Sequence, residues 1–213
     1  APYNVIVRDA CGTEKQISVN PSLSIMKRTV TVTPKCPSGS FVSGSADVVL
    51  DVTNNNIGGT IRSKITKVNG VANNINGNAS GPNGYITTFT NLAPATYIIT
   101  TNIRNCDKDV FDTVVVKSYQ NPNLTRSAGY VCDNSSLSIG AGVTGGVAPF
   151  TYEIISSTPA LPSVIAGPQS SPLFSINNGT QYTLIRLRVL DACGNAGLND
   201  VGVQPLGESL IQT

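Results

Sequence analysis

From Arg28 to Pro34 the chain reads RTVTVTP, with polar and apolar side chains taking turns at a period of two. That period sends successive side chains to opposite faces of an extended strand, whereas a helix face needs a period of about 3.6. The same alternation, or a run of β-branched residues, returns in ADVVLDVT (46–53), GGTIRSKITKV (58–68), GYITTFTNL (84–92), ATYIITTNI (95–103) and DTVVVKSY (112–119). It continues in SLSIGAGV (136–143), APFTYEIIS (148–156), PLFSI (172–176), YTLIRLRVL (182–190) and NDVGVQP (199–205). Gly, Pro, Asn or Asp bounds each run, the residues that set turns through positive φ, fixed φ or side-chain bonds to the backbone. No window carries a helical period. Short strands recurring roughly every 8 to 12 residues predict an all-β chain of sandwich domains.

Apolar residues make up 40% of the 213, enough for packed cores, but charged residues only 12%, about half the usual share. The surface is therefore polar through Asn, Thr, Ser and Gly. A net charge of +2 without any basic run speaks against nucleic acid as a partner. No apolar run reaches the length of about 20 residues that spans a bilayer, so direct membrane insertion is not expected. Neither end resembles a signal peptide, which places any export signal outside this sequence.

One order of residues occurs three times: Tyr, apolar strand, Cys, turn, strand, Pro. The Tyr-to-Cys segments are Tyr3–Cys11, Tyr97–Cys106 and Tyr182–Cys193, and the closing prolines are Pro21, Pro122 and Pro205. The prolines lie 122 − 21 = 101 and 205 − 122 = 83 residues apart, spacings that suit immunoglobulin-like domains of about 100 residues. The expected organisation is a closing pair of strands from a preceding repeat (1–19), a sandwich over 20–119, a second over 120–206, and the start of a following segment (207–213). Because Pro fixes φ and restricts the residue before it, the three prolines are expected to stiffen the joints.

The chain has five cysteines and no histidine, and the repeat frame accounts for the odd number of cysteines. Cys36 opens the first domain and Cys132 the second, and each can pair with the Cys ending the penultimate strand of its own domain. The expected bridges are Cys36–Cys106 and Cys132–Cys193, worth roughly 4 kcal/mol each on the chain-entropy model. Cys11 is left with a partner upstream. A thiolate metal site lacks both a C-x2-C pair and any His, and stable disulfides imply an oxidising, extracytoplasmic setting. NLAPATY (91–97) and INNGTQY (176–182) have the layout of a tyrosine corner, with the hydroxyls of Tyr97 and Tyr182 bonding back to upstream backbone. There is no Trp, which argues against antibody-type variable domains.

GVTGGVAPFTYEI (142–154), followed by NNGTQYTLIRLRVLDACGNAG (177–197), resembles the SprB-type repeats of giant cell-surface adhesins of gliding Bacteroidota. In those repeats a GG-x-x-PFTY strand precedes a Y-x-x-x-V-x-D-x-CG strand. The resemblance covers about 120–206 and the segment 1–19; over 20–119 the Gly-Gly-x-x-Pro-Phe element is replaced by IGGTIRSKI (57–65). The resemblance implies secretion by the type IX system, display on the outer membrane and movement along the cell surface during gliding.

No residue stands out as catalytic. Without His, the commonest general base is missing, and most of the carboxylates fall in turns, among them Asp107, Asp109, Asp133 and Asp191. The Gly-rich stretches SGSFVSG (38–44) and GVTGG (142–146) precede strands, not the helix that a phosphate-cradling loop requires. The expected function is a structural and adhesive segment of a long extracellular tandem-repeat protein, with neighbouring repeats and surface polysaccharide or other surface proteins as partners. Two alternatives stay open. One is a carbohydrate-binding module using Phe41, Tyr85, Phe89, Phe111, Tyr119, Tyr130, Phe150 or Tyr152; the other is a strand-donating fibre subunit. No cofactor is expected, although Asp9, Asp133 and Asp191 lie near domain ends where oxygens could gather calcium. Asn78, Asn123, Asn134 and Asn178 fit the N-glycosylation sequon.

Overall fold

The apolar side of each alternating strand needs a second sheet to cover it, and the chain supplies two such pairs of sheets. The structure, a computed structural model, describes residues 3–19, 27–53, 59–103, 109–126, 129–132, 136–160, 166–177 and 182–205. It begins with an antiparallel hairpin, β1 (Tyr3–Arg8) and β2 (Glu14–Val19), in which Arg8 sits across from Glu14 and Val5 from Ile17.

The first sandwich comprises β3 (Thr29–Lys35), β4 (Ser45–Asp51), β5 (Ile61–Val68), β6 (Val71–Asn76), β7 (Asn78–Ser80), β8 (Ile86–Leu92), β9 (Ala95–Ile103) and β10 (Val110–Val116). One sheet has the order β3-β4-β8-β7 and the other β10-β9-β5-β6, and every pairing is antiparallel. In immunoglobulin lettering these are A-B-E-D and G-F-C-C′, the immunoglobulin-like arrangement. Val48, Leu50 and Val52 face Ile61, Ile65, Ile99 and Val114 across the core. The inward side of the β5–β9 pair also carries hydroxyls. Buried Ser63 and Thr101 satisfy one another at 3.0 Å, as buried polar groups must. The Tyr97 hydroxyl donates to the Ala93 carbonyl at 2.6 Å, four residues upstream, fixing the turn into β9.

The second sandwich comprises β11 (Asn123–Arg126), β12 (Gly129–Cys132), β13 (Ser136–Thr144), β14 (Thr151–Thr158), β15 (Ala166–Gln169), β16 (Leu173–Asn177), β17 (Leu184–Leu190) and β18 (Ala196–Pro205). β13 pairs with β11 and β16 on one side; β18, β17, β14 and β15 follow in order on the other. β12 joins both, antiparallel to β13 and parallel to β18. Leu137, Ile139, Ile154, Ile185, Leu187 and Val189 form a core separate from the first. Tyr182 is buried in it, but the upstream segment 178–181, which its hydroxyl was expected to reach, lies outside the described residues.

The bridges differ from the expected pairs: Cys36 is bonded to Cys193, so neither Cys36–Cys106 nor Cys132–Cys193 forms. Strand direction is the reason. Cys36 follows Lys35, which sits beside Ser45, whereas Ile103 at the end of β9 sits beside Ile61 at the opposite end of the sandwich. A strand of seven residues puts about 23 Å between those ends, and a disulfide tolerates no more than about 7 Å between Cα atoms. The same holds in the second sandwich, where β18 runs from beside the Cys193 turn to Pro205, next to Val131 and Cys132. Cys106 itself, and the side chain of Cys132, lie outside the described residues.

Candidate functional site

The bridge lies where one sandwich meets the next, and the other specific contacts of the joint gather around it. β10 ends at Val116, and residues 117–122 carry the chain to β11. The Tyr119 backbone N–H donates to the Ser43 carbonyl at 2.8 Å, and Gly44 presses against this residue so closely that an added Cβ would stand 3.0 Å from Tyr119 Cβ. On the far side, the Gly146 N–H donates to the Gln120 carbonyl at 2.7 Å. Pro122 is buried, and its carbonyl oxygen lies only 2.4 Å from where a Cβ on Gly197 would be. The joint thus uses glycines where two backbones must touch. Of the other joint prolines, Pro21 lies outside the described residues, and Pro205 closes β18 with its side chain outside them.

Asp191 connects the second sandwich to this linker. The turn between β17 and β18 reads Asp191-Ala192-Cys193-Gly194-Asn195, with Gly194 at φ +79°. Asp191 Oδ1 accepts the backbone N–H groups of Cys193 and Asn195, each at 2.9 Å. Its Oδ2 accepts the Tyr119 hydroxyl at 2.8 Å and the Val147 N–H at 3.1 Å. The Asn195 side-chain amide donates to the same Tyr119 oxygen at 2.7 Å. Asp191 is only 6% exposed. Burial pushes its carboxyl up, but the Tyr119 hydroxyl and the N–H donors of Asn195, Val147 and Cys193 outweigh it and hold the group below the usual carboxylate range. Burial raises the Tyr119 hydroxyl, and its bond to Asp191 adds to that. Two residues past Asp191, Cys193 reaches Cys36 with the Cα atoms 5.3 Å apart, inside the span a disulfide needs.

Beside the bridge, an open cleft of about 730 Å³ runs along the joint, lined among others by Lys35, Ala46, Lys117, Tyr119, Gln120 and Val147. Its lining is mixed, two lysines beside apolar side chains such as Val32, Pro34 and Val115.

Of the three carboxylates near domain ends where oxygens could gather calcium, two shape their own turns. Asp9 Oδ1 accepts the N–H groups of Cys11 (2.9 Å) and Thr13 (2.8 Å) within its own turn, Asp191 is occupied as above, and Asp133 lies outside the described residues. Among the described residues no group of three or more His, Cys, Asp or Glu is placed to hold a metal. The aromatic residues do not share one face. Phe89 and Tyr152 are core, Phe150 packs against the second core, Tyr119 belongs to the joint, and Phe111 is 62% exposed on β10. The side chain of Tyr130 lies outside the described residues. The Asp191–Tyr119 contact went unseen in the sequence, where Asp191 reads as a turn former and Tyr119 as a surface aromatic. Its only signal is that both flank the cysteine and the proline of a joint.

No family model matches the sequence, and the comparison with curated proteins finds no match. Among solved structures, the chain is similar to the C-terminal 282-residue fragment of intimin, crystallised with the intimin-binding domain of its translocated receptor. Identity there is 12%, coverage 84% of this chain and 64% of that one, and the TM-score 0.30. It is also similar to murine CEACAM1b (12% identity, 84% and 100% covered, TM-score 0.29). A third is the adhesin InvE of Yersinia pseudotuberculosis (14% identity, 82% and 58% covered, TM-score 0.26). At this level of similarity the strand order, not the likeness, establishes the immunoglobulin-like fold.

Proposed function

We propose that this chain is a load-bearing segment of a long extracellular surface protein, built from immunoglobulin-like repeats that are stapled end to end. The observation that carries this reading is the Cys36–Cys193 bridge, which ties one sandwich to the next instead of closing either one. A bridge of that kind limits how far two domains can move apart or swivel. The Asp191–Tyr119 bond and the Pro122–Gly197 contact act in the same sense. A stable disulfide belongs to an oxidising, extracytoplasmic compartment, and among the described residues no helix is long and apolar enough to cross a membrane. In this reading residues 3–19 are the closing hairpin of a preceding repeat. The SprB-like motifs extend it to an adhesin exported by the type IX system and displayed on the outer membrane of a gliding bacterium.

Small-angle scattering on the oxidised protein tests the mechanical part. A narrow distribution of angles between the sandwiches is expected, broadening when Cys36 and Cys193 are both replaced by Ser. An equally narrow distribution in that variant removes the bridge from the mechanism, and selective retention on a glycan array would point to a carbohydrate-binding module instead.

A further inference from the structure

Cys11 is exposed and unbonded, yet the turn that holds it repeats the Cys193 turn bond for bond. Asp9 Oδ1 accepts from Cys11 N and Thr13 N as Asp191 Oδ1 accepts from Cys193 N and Asn195 N. Asp9 N donates to the Thr13 carbonyl as Asp191 N donates to that of Asn195, and Gly12 and Gly194 each donate back to the aspartate carbonyl. The two glycines have φ of +84° and +79°. The flanking strands agree too: Arg8 faces Glu14, Val7 faces Lys15 and Val5 faces Ile17, as Leu190 faces Ala196, Val189 faces Gly197 and Leu187 faces Asn199. Every equivalence is offset by the same 191 − 9 = 182 positions. Val5 and Val7 are 46% and 53% exposed where their counterparts Leu187 and Val189 are buried, as expected of a hairpin whose covering sheet lies elsewhere.

The second copy of this turn holds its partner in the structure. Cys193 is bonded to Cys36 at the exit end of the preceding sandwich, and Asp191 accepts a hydroxyl from the linker that leaves that sandwich. We propose that the Cys11 turn is an inter-repeat docking end of the same design. Its partner is a cysteine at the end of the first strand of the repeat before its own, in the same polypeptide, and Asp9 keeps its second oxygen for a hydroxyl from that linker. The bridge forms when the two thiols give up two protons and two electrons to a disulfide oxidant of the extracytoplasmic compartment, which leaves as a dithiol. This rests on reading residues 3–19 as the closing hairpin of a repeat. It departs from a bridge within that repeat, because the turn and the first-strand exit of one sandwich stand at opposite ends.

Peptide mapping of the natural protein decides the matter. The protein is isolated under an alkylating agent and digested with trypsin without reduction, so that Cys11 travels in the peptide Asp9–Lys15. The expected result is that peptide linked to a cysteine on the order of 157 positions upstream, the separation of Cys36 and Cys193, with Cys11 resistant to alkylation until a reductant is added. A freely alkylated Cys11, a partner only 193 − 132 = 61 to 106 − 36 = 70 positions upstream, or a partner in another copy of the chain overturns the proposal while leaving the rod intact. An intact mass of 22.2 kDa would instead remove the preceding repeat itself, and the proposal with it.

Discussion

At Asp191 a single carboxylate serves two purposes: one oxygen shapes the turn that presents Cys193, and the other receives the Tyr119 hydroxyl from the linker. Asparagine there keeps the shape and one acceptor oxygen but sets an amide against the Tyr119 hydroxyl and the Val147 N–H. Asp191→Asn is therefore expected to cost about 1 to 3 kcal/mol, the penalty for leaving buried polar groups unpaired, read as a lower midpoint in urea. The same bonds give the joint a pH dependence. Because the folded carboxyl titrates below its unfolded value of about 3.9, its contribution is complete at neutral pH. It is lost as the pH falls through the lower, folded value. Stability should drop on acidification below about pH 4, with a flatter profile in Asp191→Asn; parallel profiles would assign the acid sensitivity to other carboxylates. Tyr119→Phe removes only the hydroxyl and is expected to cost about 1 kcal/mol.

Among the elements, the strands were legible and the contacts between their ends were not. Val48, Leu50 and Val52 declare their face through period two, and the pattern survives in the buried side of β4. β6 carries no alternation to read, because VANNIN is exposed nearly throughout and owes its place to pairing with β5. The Tyr97 hydroxyl could be placed from NLAPATY alone because its acceptor, Ala93, is four residues away. The partner of Cys36 could not, because a shared domain is a weaker constraint than a shared end. Strand direction sets Cys36 apart from the β9–β10 turn, because Lys35 lies beside Ser45 while Ile103 lies beside Ile61 at the other end. Gly197 shows how closely the elements at the joint are fitted. A methyl group there would meet the Pro122 carbonyl oxygen at 2.4 Å, which neither backbone can absorb without moving. Gly197→Ala is expected to cost about 1 to 3 kcal/mol through overpacking and to broaden the interdomain angles seen by scattering. Unchanged angles would mean that β11 and its linker yield without disturbing the joint.

For the molecule as a whole, the question is whether two sandwiches with separate cores behave as two units or one. The cores share no residue: the first draws on residues from Ala46 to Val116, the second on those from Leu124 to Val203. Non-covalently they would be expected to melt independently. The bridge changes this, because each sandwich, when it unfolds alone, remains a loop closed through its folded neighbour. From Cys36 to the linker at Tyr119 that loop is 119 − 36 = 83 residues, and from Asn123 to Cys193 it is 193 − 123 = 70. On the chain-entropy model loops of these lengths are each worth about 4 to 5 kcal/mol, so both sandwiches gain from one disulfide. Cys36→Ser is then expected to lower both calorimetric transitions, although the residue sits in the first sandwich only. A bridge confined to the first sandwich would leave the second transition where it was. The comparison needs no assumption about flanking repeats, since both transitions belong to this chain. A Cys36→Ser protein whose second transition does not move would show that the sandwiches are coupled by neither thermodynamics nor the staple, and the rod would have to draw its stiffness from Pro122 and Asp191 alone.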